Sequence, residues 1–224
     1  NSKHRFSSYP PVCQLIYWAA ARFSESILGS VIILKAILLV FEVGTLWIMI
    51  RLMRIFRISK STFLIYALNP LVIVEIMGNV HFEGVMVFFL MLAIFFLSRD
   101  KYLASATSFA LSVCTKLIPL LFLPLLARLL GWRSAFQYWT LTAIITLLLF
   151  VPLFEKDIID GFSTSLGYYF QRFEFNASAY YLIRSIGFLL FGFNIIQFAG
   201  PILALAAGAL IFWISFKDNG AVSF

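Results

Sequence analysis

Charge is what this sequence has least of. Asp, Glu, Lys and Arg together make up 12% of its 224 residues, against about a quarter in globular domains, which excludes a soluble folded domain. Cysteine is equally sparse. Cys13 and Cys114 are the two present; they lack metal-site spacing, and Cys114 sits in an apolar run, so both read as small packing residues. Linkers and low-complexity segments are missing, so residues 1–224 read as a single domain. Acidic residues number 10 against 17 basic ones, a formal charge of +7. The basic residues lie in short segments between apolar runs, which is the positive-inside pattern of a membrane protein, and this excludes a nucleic-acid partner.

Apolar surface is abundant. Hydrophobic residues make up 62% of the chain, and the mean hydropathy is +0.97. A membrane span needs about 20 apolar residues, and several such runs follow one another. The predicted fold is all-α, a polytopic transmembrane helix bundle with about eight full or partial spans.

Pro10 and Pro11 cannot sit in a helix interior but suit a first turn. Residues 12–23 predict a short helix whose Tyr17 and Trp18 favour the membrane interface. The first full span is 29–50, in which Lys35 and Glu42, two turns apart on one face, predict a matched buried pair. Arg51, Arg54, Arg57 and Lys60 follow without an acid and place that end in the cytoplasm. Residues 63–78 then cross outward with a kink at Asn69-Pro70, and 82–97 return to Arg99-Asp100-Lys101. Over 102–130 the sequence predicts a hairpin of two short helices meeting at Thr115-Lys116. Pro119 and Pro124 oppose one continuous helix, and the hairpin keeps Arg128 and Arg133 inside. A span at 135–151, an external loop at 155–178 and spans at 179–191 and 195–216 complete the bundle.

Polar chemistry concentrates in residues 69–84, NPLVIVEIMGNVHFEG, which carry Asn69, Glu75, Asn79, His81 and Glu83 between two apolar runs. Ionisable groups inside such runs normally face a cavity, a partner or the membrane surface. In the predicted topology this stretch, the Tyr9-Pro10-Pro11 segment, Lys116 and the 155–178 loop all arrive on the outer face. Carboxylates, a histidine and cations gathered there suit an anionic or sugar-bearing substrate reached from the membrane. Tyr9, Tyr168 and Tyr169 suit sugar faces, although interfacial aromatic belts look the same.

Four stretches carry a resemblance: SYPPVCQLIYW, LNPLVIVEIMGNVHFEGVMVFFLMLAIFFL, LSVCTKLIPLLFLPLL and FEFNASAYYLIR. In order and spacing the chain resembles the GT-C superfamily of multi-span glycosyltransferases that use polyprenyl-phosphate sugars. Among them it resembles bacterial mannosyltransferase-like proteins and the first mannosyltransferase of GPI-anchor assembly. The resemblance implies a hexosyltransferase of the bacterial cytoplasmic membrane. Such an enzyme moves a sugar, mannose foremost, from a polyprenyl-phosphate donor to a lipid-linked or glycan acceptor on the outer face. It also implies a catalytic aspartate in a first external loop ahead of the Tyr9-Pro10-Pro11 segment. Residues 1–11 hold no carboxylate, so the general base is expected upstream of Asn1. The chain is then expected to be part of a longer module, here without its N-terminal span and first external loop.

Glycosyl transfer needs a carboxylate to deprotonate the acceptor hydroxyl and cations to stabilise the departing phosphate. Lys116 and Arg172 are the phosphate candidates, with Arg5 third. The plainer readings are a snorkelling lysine and, for Arg172, a pair with Glu174 or a lipid headgroup. Asn79, His81, Glu83 and Tyr9 are the remaining substrate candidates. His81 and Glu83 suit acceptor hydroxyls or a divalent metal; two ligands at i, i+2 are a weak metal pattern, and no other cofactor is indicated. The rival classes are a transporter or flippase for a polar lipid and a noncatalytic membrane subunit.

Overall fold

The computed structural model describes residues 9–153 and 178–217, and every regular element among them is a helix. They form two compact units, one over 9–151 and one within 152–221.

In the first unit, α1 (Pro11–Phe23) opens with Pro11 in its first turn, after an extended Pro10. The ring fixes φ near its helical value where no N–H is needed. Cys13, Ile16 and Ala20 form its buried face, while Leu15 and Trp18 stay exposed. The helix α2 (Ile27–Ile55) is capped by Ser26, whose hydroxyl accepts from the Gly29 amide at 3.0 Å. Its 29 residues measure about 43 Å at 1.5 Å per residue, longer than the roughly 30 Å hydrocarbon core. Ile32, Leu39, Val43 and Trp47 form an exposed stripe, which is the face expected to meet lipid.

Lys35 is exposed, and the Lys35–Glu42 pair predicted from spacing does not form among the described residues. Two turns separate the residues by about 10 Å along the axis. Glu42 instead accepts a hydrogen bond from the Tyr66 hydroxyl at 3.3 Å.

The 63–78 stretch is not one span. It breaks into α3 (Phe63–Ala67), α4 (Pro70–Ile73) and a π-helical turn, Val74–Gly78. Asn69 Oδ1 accepts from the Leu71 amide at 3.0 Å and so serves as the α4 cap, with Pro70 in the first turn. After this, α5 (Glu83–Leu97) leaves at a 114° bend to the Pro70–Gly78 segment.

Next come α6 (Tyr102–Val113), a 3-10 turn at Ile118–Phe122, α7 (Leu123–Leu130) and α8 (Trp132–Phe150). The expected break at Thr115-Lys116 is present between α6 and the 3-10 turn. Helices α5 and α6 run antiparallel. The Ser105 hydroxyl donates to the Ala93 carbonyl and the Ser112 hydroxyl to the Met86 carbonyl, each at 2.8 Å. Tyr138 of α8 hydrogen-bonds Ser105 at 2.9 Å, and Ala93, Ala106, Phe109, Val113, Leu126 and Tyr138 bury one another. On its other side α5 meets α2, where the Phe41 ring packs edge-on against Phe88 and at a tilt against Phe89.

In the second unit, α9 (Ser178–Phe191) and α10 (Ile196–Phe216) make a pair. Asn194 Oδ1 accepts from the Ile196 amide at 3.1 Å and from the Tyr180 hydroxyl, fastening the turn between them.

Among the described residues three helices are long and apolar enough to cross a membrane: Ile27–Ile55, Trp132–Leu153 and Ile196–Phe216. The bent pair Pro70–Gly78 and Glu83–Leu97 makes a fourth if it counts as one span. This corrects the expected eight. The other apolar runs are helical, but prolines and polar turns cut them to lengths such as 12 residues for α6 and 8 for α7, about 18 and 12 Å.

The α2–α5 contact depends on Gly44. A Cβ there would lie 2.5 Å from the Phe88 ring, closer than the ring tolerates without moving. Gly44→Ala is expected to destabilise the protein by about 1–3 kcal/mol, read as a lower Tm of unfolding in detergent. An unchanged Tm would show that Phe88 swings clear.

Candidate functional site

Backbone geometry at 74–83 determines where the polar groups go. In the π-helical turn the Asn79 amide donates to the Val74 carbonyl at 2.9 Å, five residues back. Such widened turns recur at functional sites. Val80 follows at φ +58°, the left-handed region that a β-branched side chain avoids. Strain of this kind costs about 1–3 kcal/mol and persists only where the surroundings impose it.

The consequence is a reversal of the chain that folds His81 back over Glu75. The His81 amide donates to the Glu75 carbonyl at 3.2 Å. His81 Nδ1 lies 2.9 Å from Glu75 Oε2 and 3.9 Å from Glu83 Oε2. Asn79 Nδ2 donates to the same Glu75 oxygen at 3.2 Å. Glu83, the first residue of α5, turns its other oxygen to Lys116 Nζ in an ion pair. Two carboxylates, one imidazole and one ammonium thus form a continuous chain across the bend. Each of the four side chains is 38–43% exposed, so their polar heads remain open to a ligand.

Lys116 is positioned by main-chain bonds. The Val12 amide of α1 donates to the Cys114 carbonyl at 3.1 Å, and Cys13 Sγ donates to the Thr115 carbonyl at 3.3 Å. The head of α1 thereby covers the end of α6, and Thr115 is buried beneath it. Tyr9 belongs to the same corner. Its ring meets Tyr17 and Phe82 edge-on, with centroids 5.6 and 5.9 Å away, and Phe82 directly precedes Glu83.

Tyr9, Asn79, His81, Glu83 and Lys116 are therefore gathered at one corner, with Glu75 as the acceptor shared by Asn79 and His81. Asn69 is spent on a helix cap. Arg172, Arg5, Tyr168, Tyr169 and Glu174 lie outside the described residues. Among the described residues no group of three or more His, Cys, Asp or Glu side chains is arranged to hold a metal ion. In chemical terms the cluster offers carboxylate acceptors for hydroxyls beside an ammonium suited to a phosphate oxygen.

Residues 3–133, more than half of the chain, match the family described as Alpha-(1->6)-mannopyranosyltransferase, N-terminal domain. No curated protein and no solved structure matches the chain.

The thiols at this corner are structural. Cys13 and Cys114 are free and fully buried. Burial, with a smaller contribution from the Glu83 carboxylate, pushes the Cys13 thiol up to about 12. At pH 8 its thiolate fraction is then about 10⁻⁴, and only the thiolate reacts. Cys13 is expected to resist maleimide in the folded protein and to react after denaturation, as followed by mass spectrometry. Labelling of the folded protein would show that α1 lifts off α6.

Proposed function

The chain belongs to the alpha-(1->6)-mannopyranosyltransferase family, and from that premise we propose that it is a GT-C-type integral membrane mannosyltransferase. It takes mannose from a polyprenyl-phosphate donor and passes it to a hydroxyl of a lipid-linked or glycan acceptor, on the outer face of the bacterial cytoplasmic membrane. The observation that carries this reading is the Lys116–Glu83 ion pair at the bend between Gly78 and Glu83. Non-helical backbone at membrane depth is tolerated where it lines a cavity or is covered by protein.

In the transfer, the bond from the anomeric carbon to the phosphate oxygen breaks and a bond to the acceptor oxygen forms. The acceptor proton passes to a carboxylate, and the polyprenyl phosphate leaves with the electron pair. Lys116 meets the charge growing on that phosphate, where one preorganised contact contributes roughly 3–4 kcal/mol. Glu83 holds the lysine in place, and His81 and Glu75 hold sugar or acceptor hydroxyls. By the family resemblance the base is an aspartate of an external loop. Tyr9 supplies an aromatic face beside the cluster.

Lys116→Ala and Glu83→Gln, made in the complete gene product, are expected to lower transfer by about 10²–10³ while leaving insertion and abundance unchanged. The readout is mannose transfer from a polyprenyl-phosphate donor in proteoliposomes. Normal transfer by both variants would remove the cluster from the mechanism. A wild type that moves labelled lipid between leaflets without transferring sugar would favour a lipid transporter, a reading to which the 114° bend also lends itself.

Orientation has its own test. Asn79 is exposed, so Asn79→Cys is expected to react with an impermeant maleimide in intact cells. Labelling only after permeabilisation would reverse the orientation.

A further inference from the structure

Helix direction sorts the charges of the first unit between its two ends. A Cβ on Gly44 would meet Phe88 and one on Gly84 would meet Glu42, so α2 and α5 run the same way. The connection between them returns along α2, where Tyr66 reaches Glu42 and Ile76 packs with Leu38. The last turn of α2 therefore lies at the end of α5 remote from Lys116, the end that turns into α6. The bond between Ser105 and Tyr138 brings the head of α8 to the same end. Arg51, Arg54, Arg57, Arg99, Lys101 and Arg133 gather there, all of them exposed. Asp100 is the one acid among the described residues of that end. No salt bridge among the described residues engages any of the six cations.

One of these cations borders a groove. Phe96, Leu103, Ala104 and Thr107 help to line an open groove of about 610 Å³ at the head of α6, and Lys101 is its single charged residue. Ligand sites commonly measure about 300–1,000 Å³. The hydroxyls of Thr107 and Ser108 are spent on the Leu103 and Ala104 carbonyls, at 2.9 and 2.8 Å, so the wall facing outward is apolar. Lys101 is held by its main chain alone. Its amide donates to the Phe96 carbonyl, and its carbonyl accepts from the Ser105 amide, each at 2.9 Å. Arg51 and Arg99 rest over the Trp47 and Phe95 rings, 4.4 and 5.4 Å from the centroids. Lys101 makes no such contact among the described residues, and its ammonium is open to a ligand.

An apolar wall under a lone ammonium asks for a ligand with both characters. A sugar would find no acceptor on that wall, and a small free anion would leave it uncovered. A phospholipid answers both, with an acyl chain on the wall and a phosphate at the cation. The charge of the whole end decides the headgroup. Six cations against one acid attract a net negative lipid, whereas a zwitterionic lipid brings its own cation to the same place. We propose that the groove at the head of α6 seats one anionic phospholipid, its acyl chain along Phe96, Leu103 and Ala104 and its phosphate on Lys101. The site is distinct from the Lys116 corner, at the opposite end of α6, and does not depend on the mannosyltransferase reading.

The test titrates the complete protein in neutral detergent with phosphatidylglycerol and with phosphatidylcholine of the same chains, and reads retained lipid by native mass spectrometry. The wild type is expected to retain one phosphatidylglycerol in preference to phosphatidylcholine. Lys101→Gln removes an exposed, unbonded charge and so spares the fold. It is expected to weaken phosphatidylglycerol about fivefold and to leave phosphatidylcholine within about twofold, while Lys101→Arg keeps the preference. Arg54→Gln removes an equal charge from the same end but away from the groove, and is expected to change neither lipid by more than about twofold. Glycerol phosphate, the headgroup without chains, is expected not to displace the lipid at equal concentration. Equal binding of the two lipids, or a loss in Arg54→Gln as large as in Lys101→Gln, would reduce the effect to diffuse surface charge and overturn the proposal. Displacement by glycerol phosphate would remove the acyl seat, and retention of neither lipid would show the groove covered by another part of the protein; either result overturns it.

Discussion

Two serine hydroxyls fix the register on which the site depends. Ser105 and Ser112 stand seven residues apart on α6, and the carbonyls that they reach, Ala93 and Met86, stand seven apart on α5 in the opposite direction. Continued by one more turn, the same register brings Lys116 opposite Glu83. A slip of one helical turn would shift the lysine by about 5.4 Å and break the ion pair. Apolar packing alone does not select this register, because lipid tails solvate Leu and Phe as well as a neighbouring helix does. In a membrane, hydrogen bonds and close packing of small residues do the selecting. Ser105, Ser112, Ala106 and Ala110 are all fully buried and small enough to let the backbones approach.

The same logic explains why the site lies at a break. An uninterrupted helix satisfies its own amides and carbonyls and has none to spare for positioning side chains. The 74–83 segment gives up that economy. It widens one turn, places a β-branched Val80 at φ +58°, and brings Asn79, His81 and Glu83 to one side of the bend. The covering α1 completes the corner, and its amide and thiol satisfy the carbonyls of Cys114 and Thr115 that the end of α6 leaves open.

Much of this was legible in the sequence, for identifiable reasons. Proline marked the start of α1 and the breaks at Asn69 and after Thr115, because its ring excludes helix interiors whatever the tertiary context. Residues 69–84 announced themselves by carrying acids, amides and a histidine between apolar runs. The meeting of Glu83 with Lys116 was legible only as opposite charges on one predicted face. What failed was the choice of particular bonding partners distant in sequence. Lys35 and Glu42 share a helical face, but Tyr66 lies nearer to the carboxylate than a lysine two turns away. The straps of Ser105 and Ser112 look like ordinary small residues in an apolar helix until the facing carbonyls are known. Val80 gives no signal at all, since its type argues against the conformation it adopts. The span count was too high because apolar length was read without the cost of the interruptions inside it.

Magnitudes separate the purpose of the corner from its stability. An ion pair between groups as exposed as Lys116 and Glu83 contributes about 0–1 kcal/mol. A non-glycine residue held at positive φ costs about 1–3 kcal/mol, and the side chains of Lys and Glu lose rotamer freedom when held in one geometry. For these groups the sum is unfavourable or near zero, so the polar contacts do not themselves stabilise the fold, whereas Ile76 and Phe82 of the same segment are buried in the core. The serine straps and the α2–α5 aromatic packing supply that stability a few turns away and impose the strained geometry on the bend. A rigid helix pair holding a strained, half-exposed group of opposite charges is the relation expected between scaffold and site. Val80 itself packs on the buried cluster that includes Ile76, Phe82 and Val85, so core packing holds its φ of +58° and the polar groups of the bend take the positions it imposes.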